Sequence, residues 1–455
     1  MIRTRLFAAA TILCGGFAHS ATVDINGRPL IGSDGRNYYP DAIAAAPVRS
    51  NNTWLAAARL RAVATTTFPI VPPTGAPVFS GHGENFGFYS YIAAAVGSWP
   101  DAVAIADVNG DGRNDVVLAT TFYFDSANDY HIFVFLQNAD GALAAPTKYA
   151  YSGTPNSVGL VATQLDGAMG ADIVVGTDSG IDRFLATAGE FGAPTFYLGQ
   201  ESEVLGALDA NRDGTTDIIG LSWASGAEIY PNDGGGTFAT AIPLASNNTG
   251  YPSMCVRDID GDGLPDVLIA TGQGPAATSI NVHWQTGQQG SGVLSSPTTL
   301  GPPQDHTWYA SAGDINGDGH VDIIAGRAQN RPTWIWHFDG QGNHQFAAGQ
   351  AFPSLDIPED LIATDINRDG REDIVTLHGG WNNAGVFLQG ANGGMYPEQL
   401  YPLPYASHYG ATGLAIGDIN GDGCPDAVIA DYNSGLVILY GHDCSDAIFA
   451  STFEQ

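Results

Sequence analysis

Short apolar runs separated by polar, glycine-rich turns recur along most of the chain. A small-and-apolar run such as AVAIA or GLAIG comes first, and an acidic loop follows it. Next come a β-branched run (DVVLAT, DIIAG, DAVIA), a second apolar run (IFVFLQN, TWIWHFD, GLVILYG), a Gly-rich turn and a final run such as FGAPTFYLG. Runs of this length, rich in Val, Ile, Phe and Tyr and bounded by turn residues, are strands, and helical periodicity is almost absent. The acidic loop marks the period. Intact copies start at Asp107, Asp209, Asp258, Asp314, Asp365 and Asp418, and a degenerate copy, QLDGAMGADI, starts at Gln164. Spacings of this size mark solenoids, propellers or arrays. Four short antiparallel strands repeated seven times predict an all-β, seven-bladed β-propeller, whose radial closure protects the sheet edges.

The last period lacks its fourth run. GAPVFSG at 75–81 matches GAPTFYLG at 192–199, so an N-terminal strand is expected to complete the last blade. The alternative is that AIFASTFEQ at the C-terminus fills the slot. The propeller is therefore expected over 71–442, between an extension at 21–70 with no assigned role and a tail at 443–455. Residues 1–20 read as a signal peptide: Arg3 and Arg5, the apolar run LFAAATILCGGFA, and small residues for cleavage near Ser20 or Ala21. No later segment is long and apolar enough to span a bilayer. The expected product is a monomer, secreted or periplasmic. Cys424 and Cys444 flank a hairpin at equal distances from its turn, which predicts a disulfide in an oxidising compartment.

Charge narrows the function. Sixteen Lys and Arg stand against 47 Asp and Glu, a formal charge of -31, which argues against a nucleic-acid partner. Much of the acid lies in the loops. In the first, Asp107, Asn109, Asp111 and Asp115 occupy relative positions 1, 3, 5 and 9; Arg113 offers its carbonyl at position 7, and Gly112 permits the turn. The same set reads Asp209, Asn211, Asp213, Thr215 and Asp217 in the third period, and Asp258, Asp260, Asp262, Leu264 and Asp266 in the fourth. It reads Asp314, Asn316, Asp318, His320 and Asp322 in the fifth, and Asp365, Asn367, Asp369, Arg371 and Asp373 in the sixth. Asp418, Asn420, Asp422, Cys424 and Asp426 complete the series. Alternate spacing aims successive oxygens at one centre. Hard, mostly anionic oxygen ligands suit calcium better than zinc or magnesium. An EF-hand is excluded, because no helices flank the loop and position 12 is Leu118, Ile269 or Ala325 rather than Glu. About six structural Ca2+ ions are expected, and none in the loop at Gln164, where Ala168 and Met169 replace a ligand and the turn glycine.

These D-x-[DN]-x-D-G-x-x-D loops between β runs, with FGAP downstream, resemble FG-GAP/VCBS repeats, as in the head of integrin α subunits and many exported bacterial proteins. The resemblance covers about 75–442 and implies a seven-bladed propeller with calcium between the first two strands of a blade. It implies no single activity, since the fold hosts adhesion, lectin and lyase functions. The ending CSDAIFASTFE also resembles a C-terminal tag of exported Gram-negative proteins.

If the acidic loops share one rim, aromatic and histidine residues gather at the other. Trp99, Phe122 and Tyr123 lie there in the first period, and the candidate ligand-binding set is Trp223, Tyr251, His306, Trp308, Tyr309, His378, Trp381, His408 and Tyr409. Such residues stack on sugars, make protein hot spots or pack between blades. The sequence favours a binding or adhesion module for an extracellular glycan or a surface protein. The alternative is a carbohydrate-active enzyme, a polysaccharide lyase or hydrolase, with His306, Tyr309, His378 or Tyr409 as acid or base. No nucleophile motif, zinc signature or phosphate-cradling loop supports catalysis, and no catalytic residue is assigned.

Overall fold

Seven four-stranded antiparallel sheets and one small turn hairpin account for the strands. The computed structural model describes residues 90–92, 98–123, 125–244, 251–272, 279–285, 294–300, 307–327, 334–355, 358–378, 383–403, 412–431, 435–442 and 444. Among these there is no helix. Blade 1 comprises Trp99–Ala106, Asp115–Thr121, His131–Phe135 and Thr147–Ala150. Blade 2 comprises Leu160–Thr163, Asp172–Thr177, Gly180–Phe184 and Thr195–Leu198. Blade 3 comprises Val204–Leu208, Asp217–Ser222, Gly226–Tyr230 and Ile242–Leu244. Blade 4 comprises Tyr251–Arg257, Asp266–Gly272, Ser279–His283 and Thr298–Leu300. Blade 5 comprises Thr307–Gly313, Asp322–Arg327, Trp334–Phe338 and Gln350–Pro353. Blade 6 comprises Pro358–Thr364, Asp373–His378, Asn383–Phe387 and Gln399–Pro402. Blade 7 comprises Leu414–Gly417, Asp426–Asp431 and Gly435–Leu439, completed by Ser90–Ile92.

The strand patterns follow from place in the ring. Second strands are covered on both faces, and in blades 1, 2, 3, 6 and 7 they are buried along their whole length. Val116 and Leu118 meet Val428 and Ile438 of blade 7, while Val117 and Ala119 meet Ile173 and Val175 of blade 2. Two-sided burial explains why these runs are β-branched without polar alternation. Fourth strands lie outermost, as the exposed residues of Thr147–Ala150 show.

The core is divided among the blade interfaces. Seven apolar clusters fill seven interfaces, including the one between blades 7 and 1. An open row of seven sheets has only six interfaces, so the seventh cluster closes the ring. First strands of all seven blades line an axial cavity of about 370 Å³.

Closure is by an N-terminal strand in the last blade, as the sequence predicts. Ser90 pairs with Ile438, Tyr91 with Val437 and Ile92 with Leu436. The pairing residues lie downstream of GAPVFSG; residues 75–81 and the C-terminal alternative at 447–455 are both outside the described residues. Cys424 and Cys444 form the predicted disulfide, with Cα atoms 5.4 Å apart.

Candidate metal centres

Each acidic loop joins the first strand of a blade to the second and is built from nested side-chain turns. In blade 1, Asp107 Oδ1 accepts from the Gly110 and Asp111 amides, and Oδ2 accepts from Gly112 at 2.7 Å. Asn109 Oδ1 accepts from the Asp111 amide and Asp111 Oδ1 from Arg113. The pattern recurs: Asp209, Asp258, Asp314, Asp365 and Asp418 each accept the position-6 glycine amide at 2.8–2.9 Å. These glycines, from Gly112 (φ 83°) to Gly423 (φ 88°), are all left-handed. Position 4 is left-handed too, and there blades 3 and 6 carry Arg212 (φ 58°) and Arg368 (φ 57°) instead of glycine.

The position-9 aspartate has a role its spacing did not reveal. It is fully buried in every intact loop. Asp115 Oδ2 accepts the Val108 amide at 3.0 Å, and Oδ1 accepts the Gln137 amide at 2.8 Å, clamping the loop to the end of the third strand. Asp217, Asp266, Asp322, Asp373 and Asp426 make the same two contacts. So does Asp172 in the degenerate loop, which explains why that loop keeps its last aspartate. Burial pushes Asp115, Asp217, Asp266 and Asp426 up to about 6 and Asp373 up to about 8, and raises Asp172 and Asp322. Neighbouring loop carboxylates, Asp111 and Asp107 beside Asp115, push in the same direction.

The residues present fit a hard cation. Asp258, Asp260 and Asp262 bring one oxygen each within 4.8 Å of one another. The degenerate loop supplies an internal comparison. There the Gln164 side-chain amide Nε2 donates to the Ala168 and Gly170 carbonyls, the latter at 2.9 Å and at position 7. A neutral amide donor thus stands at position 1, where the intact copies carry a carboxylate. Arg113 and Arg371 partly balance two intact loops by pairing with Asp111 and Asp369.

Four of the intact loops also lean on the next blade. The position-1 carbonyls of Asp107, Asp209, Asp314 and Asp418 accept from the Ala171 amide, Gln285, Gln389 and Asn114 respectively. Arg257 of blade 4 donates to the Ala312 carbonyl and pairs with Glu372 of blade 6 at 2.6 Å; Glu372 in turn accepts the Asp314 amide. Sequence reasoning missed these links, because they join residues brought together only by the ring.

At the other rim the candidate ligand-binding residues divide. Tyr309 is buried in the cluster between blades 5 and 6, and His378 is buried with Nε2 2.7 Å from Glu398 Oε1. Trp223 is half-buried, its amide donating to Glu203. Tyr251 and Trp308 lie in the first strands of blades 4 and 5. His306, Trp381, His408 and Tyr409 fall outside the described residues. Blade 1 presents an aromatic group: Trp99 and Tyr123 centroids are 5.9 Å apart, and Phe122, half exposed, stacks on Tyr130 at 6.3 Å.

Fold and loops together define a seven-bladed propeller with acidic loops between the first two strands of its blades. The chain belongs to the FG-GAP-like repeat family, which it matches over residues 107–175, 209–269, 258–325, 314–376 and 365–429, more than half its length. It is 29% identical to human integrin alpha-IIb over 177 residues, which cover 37% of this chain and 14% of the integrin. The mouse integrin alpha-IIb is 28% identical over 192 residues, 34% of this chain and 17% of that protein. The matches therefore span a small part of those integrins. Among solved structures, the BP39L lectin from Burkholderia pseudomallei superposes with a TM-score of 0.56 at 14% identity, covering 76% of this chain and 98% of the lectin. BBS1N, solved in complex with ARL6DN, gives 0.51 at 11% identity, covering 78% and 96%.

Proposed function

We propose that this chain is exported and serves as a calcium-stabilised binding or adhesion module for an extracellular glycan or a surface protein. The observation that carries the reading is the blade 1 aromatic group on the rim opposite the acidic loops, with Phe122 50% exposed over Tyr130. Flat aromatic faces on a rigid rim suit sugar rings and partner side chains alike. The six intact loops hold one Ca2+ each through the side-chain oxygens at positions 1, 3, 5 and 9 and the position-7 carbonyl, the buried position-9 carboxylate also fixing the loop backbone. Calcium supplies positive charge there and stabilises by mass action. The lectin neighbour shares the fold and fits a binding role. Export agrees with the disulfide, and no helix among the described residues is long and apolar enough to cross a membrane. The enzymatic alternative loses support from Tyr309 and His378, both interior.

A glycan array probed with the full mature chain, in calcium and in chelator, tests the reading. Specific retention in calcium, lost in Phe122→Ala at an unchanged melting temperature, is expected. A blank array removes the glycan ligand, and release of cleaved product moves the reading to a carbohydrate-active enzyme.

A further inference from the structure

Blade 5 departs from its six counterparts at two positions, one in the third strand and one just past its end. Alignment on the residue whose amide caps the position-9 aspartate (Gly340 here) puts His337 where the other blades have Val134, Arg183, Ile229, Val282, Val386 and Ile438. Asp339 likewise stands where they have Leu136, Leu185, Pro231, Trp284, Leu388 and Tyr440. Two half-buried polar side chains replacing mostly apolar ones carry a desolvation cost, which the His337–Asp322 and Asn316–Asp339 contacts offset in part and a bound cation would offset further.

The geometry points to a transition-metal site, zinc in the first instance, formed by His337 and Asp339 together with Asp322, the position-9 carboxylate that it would share with the calcium of the fifth loop. One ligand atom from each lies within 4.8 Å of the others. His337 Nε2 stands 3.2 Å from Asp322 Oδ2. Two ligands each about 2.0–2.1 Å from a tetrahedral zinc are roughly 3.3 Å apart, so this pair is already spaced as an edge of the tetrahedron. Asp339 is oriented from behind: its Oδ1 accepts the Asn316 side-chain amide at 2.6 Å. A cavity of about 120 Å³ opens beside His337, Asp339 and Asn316, room for a water as fourth ligand. The imidazole nitrogen separates this site from the oxygen-only loops, because calcium takes oxygen ligands whereas first-row ions accept nitrogen.

The test titrates Zn2+, with Co2+ as a visible-absorption reporter, into the full chain held in excess Ca2+. One tight zinc per chain is expected, with cobalt bands of a nitrogen–oxygen tetrahedral site. His337→Val and Asp339→Leu install residues that other blades carry at these positions. Each should weaken zinc at least tenfold while calcium stoichiometry and melting temperature stay unchanged. His344→Ala, which removes the exposed pair with Asp260, should leave the tight zinc in place. Absence of tight zinc in the parent chain, or equal zinc affinity in His337→Val, overturns the assignment.

Discussion

The position-9 aspartate shows one side chain serving structure and electrostatics together. A carboxyl whose folded pKa lies above its ordinary 3.8 binds more protons in the folded than in the unfolded protein. Stability from that difference is full below pH 3.8 and is lost as pH rises through about 6 for Asp115, Asp217, Asp266 and Asp426, and about 8 for Asp373. In chelator, the melting temperature should therefore fall between pH 4.5 and 8. If the loops take calcium as proposed, the ion competes with those protons and the gap between calcium and chelator curves should widen as pH rises; scanning fluorimetry at several pH values reads both. A chelated protein that melts higher at pH 8 than at pH 5 contradicts the picture. Asp360, pushed up to about 8 by burial beside the axis, adds to the slope without responding to calcium, and Asp360→Asn isolates it. Positions 1, 3 and 5 were legible because alternate spacing is a local property of the chain. The clamp made by position 9 was not, because its second partner, Gln137 for Asp115, lies on a different strand.

At the level of the element, the loop backbone is more uniform than its sequence. Arg212 and Arg368 adopt the left-handed conformation that glycine takes at position 4 elsewhere, a strain of about 1 kcal/mol for a residue with a Cβ. Arg212→Gly and Arg368→Gly should each raise stability by roughly that amount in denaturant melts, with calcium stoichiometry unchanged; lower stability in both would show that the side-chain contacts outweigh the strain. Strands were readable because two-sided burial writes continuous apolar runs, as in DVVLAT at 115–120. The closing strand was readable in kind but not in place. Ser90–Ile92 is three residues long, too short to carry a periodicity of its own. The His337–Asp339 departure becomes visible only once the blades are aligned on a hydrogen bond that the sequence does not display.

For the whole molecule, loops, interfaces and closure form one mechanical circuit. Loop carbonyls bonded to the next blade pass local order around the ring, and Arg257–Glu372 spans three blades. Deleting the chain through Ile92 should leave the Gly435–Leu439 edge bare, lower the melting temperature and promote association through that edge, read by light scattering. A monomer of unchanged melt would show that the seventh apolar cluster alone holds the ring. The same clasp fixes an order of events in time. Ser90 finds its partner Ile438 only after nearly every intervening residue has been made, so the contact of greatest sequence separation is formed last. Until Gly435–Leu439 has been made the seventh interface stays open, so a partly made chain is held only by the contacts between its finished blades.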